Sequence, residues 1–403
     1  MRIARSGLLL LLIVGIGFSA GAQELDISIT SPGITLGGDL SNFQDELDGF
    51  LSGENSPTTL LENELDALEL DQYADLSMLA RAIANAGSAA SHLGTQRAFS
   101  DFRIFALSIG SGAALTVPDI DPSYLETLQE DVESSGDIYV GAAIQPITAA
   151  LGVNLSRWIP RTRADVKLGY ANLADGTIGD GVSFSALSVG VGANYQILQS
   201  RQLPLGFIRW RGVSLASGLM FQRNETDISV SINDQALTQE LYAGTFVNET
   251  DPTDNNLGEF YTENDTDREL IATLLVEPSV NVAAESTTYT IPLEATTGLR
   301  LLWLLDVNVG AGVDLVFGNS EVVFGADAAL KVDAESGEYV ESTSPGSVGF
   351  GVTNTESPQF FRPRVTGGVG LNLGPIKLDV PLMLYFDEDG NTVMGGVNVG
   401  LVF

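Results

Sequence analysis

The sequence predicts an all-β protein: an antiparallel transmembrane β-barrel of about 12–14 strands, preceded by a partly helical region. Three observations predict it. From about Phe102 onward, apolar residues recur at every second position in runs of ten to fourteen residues. The chain ends on such a run, with Phe403 as its last residue. Its beginning reads as an export signal.

Arg2 and Arg5 precede an apolar run from Leu8 to Phe18, and Ala20-Gly21-Ala22 has the small-x-small pattern of a cleavage site before Gln23. The run is too short to span a bilayer. Residues 1–22 are therefore expected to be a cleaved signal peptide, with the rest exported to the outer membrane of a double-membraned bacterium. The chain has no cysteine, which excludes disulfides and a lipid-bearing cysteine anchor. Hydrophobic residues make up 44 % of the chain, yet its net charge is −33. The two facts agree if apolar residues alternate along strands while acids gather in connections. Such acidity leaves no basic face for phosphates, so nucleic acid is not expected as a partner.

Residues 23–101 form the expected pre-barrel segment, either a plug in the barrel or a periplasmic extension. Up to Asp75 this segment carries thirteen acids and no base. Ser56-Pro57-Thr58 can start a helix with Leu60, Leu61, Leu65 and Leu68 on one face. The stretch Leu76 to Ala90 is rich in alanine, slim enough to enter a barrel lumen.

The barrel is expected over residues 102–403. Ala164, Val166, Leu168 and Tyr170 alternate with Arg163, Asp165, Lys167 and Gly169; Ile376, Leu378, Val380, Leu382, Leu384 and Phe386 alternate with Lys377, Asp379, Pro381, Met383 and Tyr385. One apolar and one polar or glycine-bearing face is the mark of a half-buried strand, and runs this long cross a bilayer at a tilt. Glycines recur on the polar face in Leu107–Gly112, Leu187–Gly192, Val307–Gly312 and Gly367–Leu371. No helix follows them, so a lumen where neighbours approach closely accounts for them better than a phosphate loop.

Twelve strands are expected: 102–116, 138–155, 161–172, 182–198, 206–223, 269–284, 288–301, 304–317, 320–333, 360–373, 375–387 and 392–403. An even count puts both termini on the periplasmic side. The long connections 118–137, 224–268 and 334–359 then lie outside, and 156–160, 285–287, 318–319 and Gly374 inside. The stretch around Trp303 has no turn residue, and fourteen strands fit as well. Val397, Val399, Leu401 and Phe403 share a face of the last strand, an amphipathic tail that resembles the insertion signal of bacterial outer-membrane barrels. The expected partners are accordingly outer-membrane lipid and the barrel-assembly machinery.

Residues suited to catalysis are few. His92 is the single histidine, which rules out a multi-histidine metal site within one chain, and a lone histidine is most often structural. The acids of 224–269 show no EF-hand spacing and read as a solvated, self-repelling loop. No cofactor, metal or catalytic residue is expected. The polar faces of the strands supply the candidate site, a lumen lining of Arg163, Asp165, Lys167, Glu277, Glu294, Arg300, Asp306, Asp314, Asp327, Lys331, Arg362, Arg364, Lys377 and Asp379. Paired charges of both signs can fill a barrel, or guide solutes through it.

In its pre-barrel Ala/Gly segment, long glycine-bearing strands and aromatic terminus, the chain resembles the long-chain fatty-acid transporter (FadL-like) barrels over roughly residues 80–403. That family's Asn-Pro-Ala-Gly type motif is absent; Asn85-Ala86-Gly87 is the nearest text, and no binding residue is carried over. The resemblance implies a channel for hydrophobic or lipid-like small molecules, with residues 23–101 as gate. The alternative is a surface interaction protein, adhesin-like, displaying acidic loops on a sealed barrel.

Overall fold

The computed structural model describes residues 24–30, 33–36, 76–92, 102–117, 140–174, 181–203, 207–231, 237–247, 259–261, 268–334, 340–344 and 346–403. The expected signal peptide and the expected helix after Ser56 lie outside these residues. Two short strands come first, β1 (Glu24–Thr30) and β2 (Gly33–Leu36), then one helix, α1 (Ser77–Ala90). The other strands are β3 (Phe105–Val117), β4 (Gly141–Asn154), β5 (Thr162–Leu173), β6 (Val182–Leu198), β7 (Arg201–Gln202), β8 (Ile208–Ser231), β9 (Leu237–Val247), β10 (Glu259–Tyr261), β11 (Arg268–Leu301), β12 (Leu305–Ala334), β13 (Val340–Ser344), β14 (Gly346–Glu356), β15 (Phe361–Leu373), β16 (Ile376–Asp387) and β17 (Gly390–Val402).

The chain divides into two compact units. The larger spans 75–228, 283–322 and 354–403, and it is a closed barrel. Its strands pair in the ring β12-β15-β16-β17-β3-β4-β5-β6-β8-β11 and back to β12. Each strand pairs with its chain neighbour in the ring, and β17 closes on β3, antiparallel, from Asn391↔Val117 to Val402↔Ala106. A closed ring leaves no strand edge, so every backbone group of the wall is satisfied within the wall. The other unit takes in 1–74, 229–282 and 323–353. There β1 pairs antiparallel with β14, β2 with β13, and β9 with the first part of β11.

The ring has ten strands, two fewer than the sequence reading counts. Residues 269–284 and 288–301 are one strand, β11, and 304–317 and 320–333 are another, β12. The expected turns at 285–287 and 318–319 do not form. Gly318 bends a continuous strand instead, with φ +139° and no room for a Cβ, which would stand 2.0 Å from the Thr287 carbonyl oxygen. The real turn is where no turn residue stands: Leu302 and Trp303 both take positive φ, 49° and 51°, and the Leu304 N–H donates to the Leu301 carbonyl. This is a two-residue hairpin of the I′ type built from bulky residues, a strained choice that the paired flanking strands hold in place. The expected loop 224–268 is also partly strand, since β8 runs to Ser231 and β9 and β10 lie within it.

Ten is still even. The connections 118–140, 174–181, 232–267, 335–360 and 388–389 leave one mouth of the barrel. The connections 155–161, 199–207, 302–304 and 374–375 leave the other, where β3 starts and β17 ends. All three connections longer than twenty residues fall at one mouth, the pattern of an outer-membrane barrel.

The alternation is inverted relative to a water-soluble sheet. Along β16, Lys377, Asp379, Met383 and Tyr385 are buried, while Ile376, Val380, Leu382 and Phe386 are exposed. Val397, Val399, Leu401 and Phe403 likewise face outward on β17, and Val402 packs inward on Phe102 and Ala106. Aromatics collect at both rims: Trp158, Phe207, Trp303 and Phe403 at the short-turn mouth, Phe317, Phe360, Phe361 and Phe386 toward the other. From Ile376 to Phe386 the strand runs about 33 Å at 3.3 Å per residue, or about 25 Å along the barrel axis at a tilt of about 40°. That is the height of a bilayer's apolar band. Among the described residues no helix is long and apolar enough to cross a membrane.

The facing yields a test. Leu382, 56 % exposed at mid-height of β16, meets lipid if the band is membrane-embedded. Leu382→Arg should then cost about 2–4 kcal/mol of unfolding free energy, measured by urea titration in lipid vesicles. On a water-facing wall the same change would stay within about 0.5 kcal/mol.

A buried ionic network around the lumen helix

The helix α1, SMLARAIANAGSAA, is buried on every side from Ala80 to Ala90 except at Arg81 and Ile83. A short helix of alanine, glycine and serine has no apolar stripe strong enough to fold alone. It forms because the ring encloses it. Its side chains and backbone meet partners on β4, β8, β11, β12, β15 and β16, so it lies inside the barrel. A ring of eight strands is filled by its own side chains, and ten leave a wider bore; a helix this slim fits there. At Gly141, the start of β4, an added Cβ would stand 2.1 Å from the carbonyl carbon of Ala82, so wall and helix touch backbone to backbone.

Two guanidinium groups on β15 organise the interior. Arg362 donates from Nη1 to the Asn85 carbonyl at 2.6 Å and to Ser88 Oγ of the helix. It also makes a bidentate pair with Asp387, Nε to Oδ1 at 2.7 Å and Nη2 to Oδ2 at 2.6 Å. Its carbon centre stands 4.5 Å from the ring centroid of Tyr385. Arg364 donates from Nε to Asp314 Oδ1 at 2.9 Å and from Nη1 to Glu294 Oε2. The second oxygen of Asp314 receives the Tyr385 hydroxyl at 3.0 Å and lies 2.6 Å from His92 Nε2. Lys167 donates to the Ser91 carbonyl just past the helix end. Arg362 and Lys167 thus meet the C-terminal half of the helix and its end, where the macrodipole is negative. The N-terminal half is held at the long-connection mouth, where Arg81 pairs with Asp389 at 2.6 Å and Glu356 at 3.1 Å.

A second cluster lies toward the short-turn mouth. Arg300 pairs with Asp306 at 2.8 Å, Arg211 stands 3.6 Å from Asp306, and Asn372 donates to Asp306 at 2.5 Å. Lys377 donates to Asn372 Oδ1. A polar cavity of about 40 Å³ beside Arg211, Asn194, Asn308 and Asp379 holds no more than a water or two.

Of the expected lumen charges, Lys167, Glu294, Asp306, Asp314, Arg362, Arg364, Lys377 and Asp379 are buried in the barrel, with Arg163, Asp165 and Arg300 partly so. Asp327 is a correction. It is exposed, and it accepts from Asn281 at 3.1 Å in the other unit, because β12 continues as one strand into that unit's residues. The side chains of Glu277 and Lys331 lie outside the described residues. The sequence reading missed Tyr385, Asp387 and Arg211 and gave His92 a structural place without a partner. Tyr385 and Asp387 follow Lys377 and Asp379 at the same period of two, so the alternation of β16 marks them. Nothing in the sequence pairs His92 with Asp314, to which the helix carries it across 222 residues of chain.

The arrangement holds charges in place; its groups are pinned to one another at 0–1 % side-chain exposure. Among the described residues no group of His, Asp and Glu is placed to hold a metal ion.

The chain belongs to the Lsa36-like family, whose model matches residues 46–403. No curated protein matches it. Among solved structures it is similar to the translocator domain of autotransporter NalP from Neisseria meningitidis, at 12 % identity and TM-score 0.29, over 80 % of this chain and 100 % of that one. It is similar to the toluene transporter TodX of P. putida, at 9 % and 0.25, over 82 % and 99 %. The CymD monoaromatic hydrocarbon channel follows at 10 % and 0.23, over 82 % and 99 %. Transporter barrels, the class that the sequence resembles in layout, are thus among its neighbours, at scores too low to carry an argument.

Removing one cation tests the network. Arg364→Met leaves Asp314 and Glu294 buried without their shared partner and should lower stability by about 3–5 kcal/mol in detergent-solubilised unfolding. Arg300→Met, at the partly exposed mouth where Arg211 also serves Asp306, should cost about 1 kcal/mol.

Proposed function

We propose that this Lsa36-like chain is an outer-membrane barrel held shut by its own helix, and that it acts through the acidic segments at its long-connection mouth. The observation that carries the reading is the filled lumen. A helix buried from Ala84 to Ala90, with Arg362 donating to its Asn85 carbonyl and Lys167 to the Ser91 carbonyl just past it, occupies the ring. The apolar outer face and its two aromatic rims support a bilayer setting, and the N-terminal run read as an export signal agrees with it. Twelve acids against Arg268 alone lie in 224–269. A field of that sign attracts cationic partners and repels nucleic acid and anionic lipid. The protein is then a surface interaction protein of the adhesin-like kind, with the barrel as its anchor.

One observation favours a second reading, a channel that opens when the helix leaves. Gln222 Oε1, Ser286 Oγ, Thr288 Oγ1 and Thr290 Oγ1 are buried and make no hydrogen bond to protein. Water entering after the helix would satisfy them, and small polar or hydrophobic cargo could follow.

Planar-bilayer recording separates the two. The intact protein should give a silent trace, and a variant lacking 24–95 should give steady steps, since its lumen has lost the helix. Spontaneous openings in the intact protein would move its function to conduction.

A further inference from the structure

In a chain of net charge −33, one rim of the barrel is basic. At the short-turn mouth the exposed charged side chains are Arg103 before β3, Arg157 and Arg161 between β4 and β5, Arg201 on β7 and Arg209 on β8. Among the described residues no acidic side chain is exposed at that mouth, and none of the five arginines pairs with a carboxylate. Asp101 lies outside the described residues. The three segments that bear the arginines are neighbours, because the ring runs β3-β4-β5-β6-β8 along this arc. Hydrogen bonds tie them: Asn154 N–H to the Ile104 carbonyl at 2.9 Å, Gln196 N–H to the Arg161 carbonyl at 3.0 Å, Arg209 Nη2 to Ser200 Oγ at 2.9 Å. Phe403 O accepts from the backbone N–H groups of Arg103 and Ile104 at 2.9 Å, so the negative end of the chain is spent on backbone donors. The other turns of this rim, 302–304 and 374–375, carry no charge.

We propose that this arc is a docking surface for the phosphate groups of anionic phospholipids in the leaflet around the short-turn mouth. The proposal rests on the membrane reading of the wall. Arginine suits the role because its planar fork meets two phosphate oxygens at once and stays charged at an apolar boundary. Exposed Ile104, Trp158, Ile159 and Phe207 stand among the arginines. Such side chains settle at the boundary of head groups and acyl chains, which places the guanidinium groups at phosphate depth. Arg161 adds a separate sign. Its φ is +63°, a left-handed conformation that glycine or asparagine takes more easily. A long cationic side chain kept at such a position points to a use for its charge. The net charge of the chain hides this face, because the acids are spent elsewhere. At the opposite mouth the turn between β16 and β17 exposes Glu388 and Asp389. A barrel basic at one rim and acidic at the other has its charge matched to an anionic leaflet on one side only.

Tryptophans make the two halves of the rim separately readable. The chain has three, of which exposed Trp158 marks the basic arc and exposed Trp303 the uncharged one. Full-length protein with Trp210→Phe and Trp303→Phe keeps Trp158 as reporter; with Trp158→Phe and Trp210→Phe it keeps Trp303. Each is refolded at low salt in phosphatidylcholine vesicles containing brominated phosphatidylglycerol or the same fraction of brominated phosphatidylcholine. Quenching of Trp158 should favour phosphatidylglycerol several-fold, on the scale of the about fivefold that one basic side chain contributes at an anionic surface. Trp303 should show a ratio near one. The Trp158 ratio should fall toward one in Arg157→Gln/Arg161→Asn/Arg201→Gln and at high salt. Arg161→Asn alone, which eases the backbone as it removes a charge, should lower it in part and serves should the triple variant not yield a heat-modifiable barrel. A Trp158 ratio near one, an equal preference at Trp303, or indifference to the arginine changes would overturn the proposal and leave the barrel standing. Loss of the preference on adding inorganic phosphate at matched ionic strength would assign the arginines to the free ion instead. No quenching of either reporter by either lipid would overturn the membrane reading, and the docking surface with it.

Discussion

Arg362 and Arg364 stand two residues apart on β15, both buried, and the interior is arranged around neutralising them. Desolvating a guanidinium costs several kcal/mol, recovered only where carboxylates and further acceptors surround it. Asp387 takes one in bidentate geometry, and Asp314 and Glu294 share the other. Tyr385 lies within cation–π reach of both and donates to Asp314. Of the remaining donors of Arg362, Nη2 also reaches the Thr392 hydroxyl on β17 at 2.8 Å, and Nη1 needs oxygens that the wall, its carbonyls spent in the ladder, does not supply there. The last turns of α1 supply them. The helix therefore completes the charge balance of the wall, and the wall supplies the burial that lets so short a helix exist.

The same constraint explains the inverted pattern of the sheet. Where lipid covers the outside, apolar burial gives no reason for side chains to face inward, and the centre must be filled by groups that satisfy one another. Ion pairs, amides and hydroxyls do this in place of a hydrophobic core. The small residues of α1 fit between them, and at Gly141 of β4 the wall comes so close that an added Cβ would stand 2.1 Å from the Ala82 carbonyl carbon. The interior is thus both a lock and a spacer. Its polarity also makes it separable: a helix held by hydrogen bonds can exchange those bonds for water, as an apolar plug cannot.

Much of this was legible in the residues. Period-two alternation over ten or more positions dictates membrane-length strands, because successive side chains must face opposite ways, and it identified most of the buried charges, including both arginines of β15. The terminal run ending in Phe403 faces as its spacing requires. What the sequence could not determine was where strands end when no glycine or proline ends them, and which distant groups meet. Gly318 looked like a turn and is a bend, while Leu302 and Trp303 looked like strand and form the turn. In both places the hydrogen bonds of neighbouring strands override local preference, and so two pairs of expected strands became β11 and β12. Asp327 left the lumen for the same reason. His92 could be read as structural, but its partner Asp314 could not be, since the pairing depends on a helix whose alanines have no intrinsic reason to seek a barrel. Local chemistry set the faces of the strands; closure of the ring, a long-range pairing of β17 with β3 and β11 with β12, decided the strand count, the bore, and hence what had to fill it.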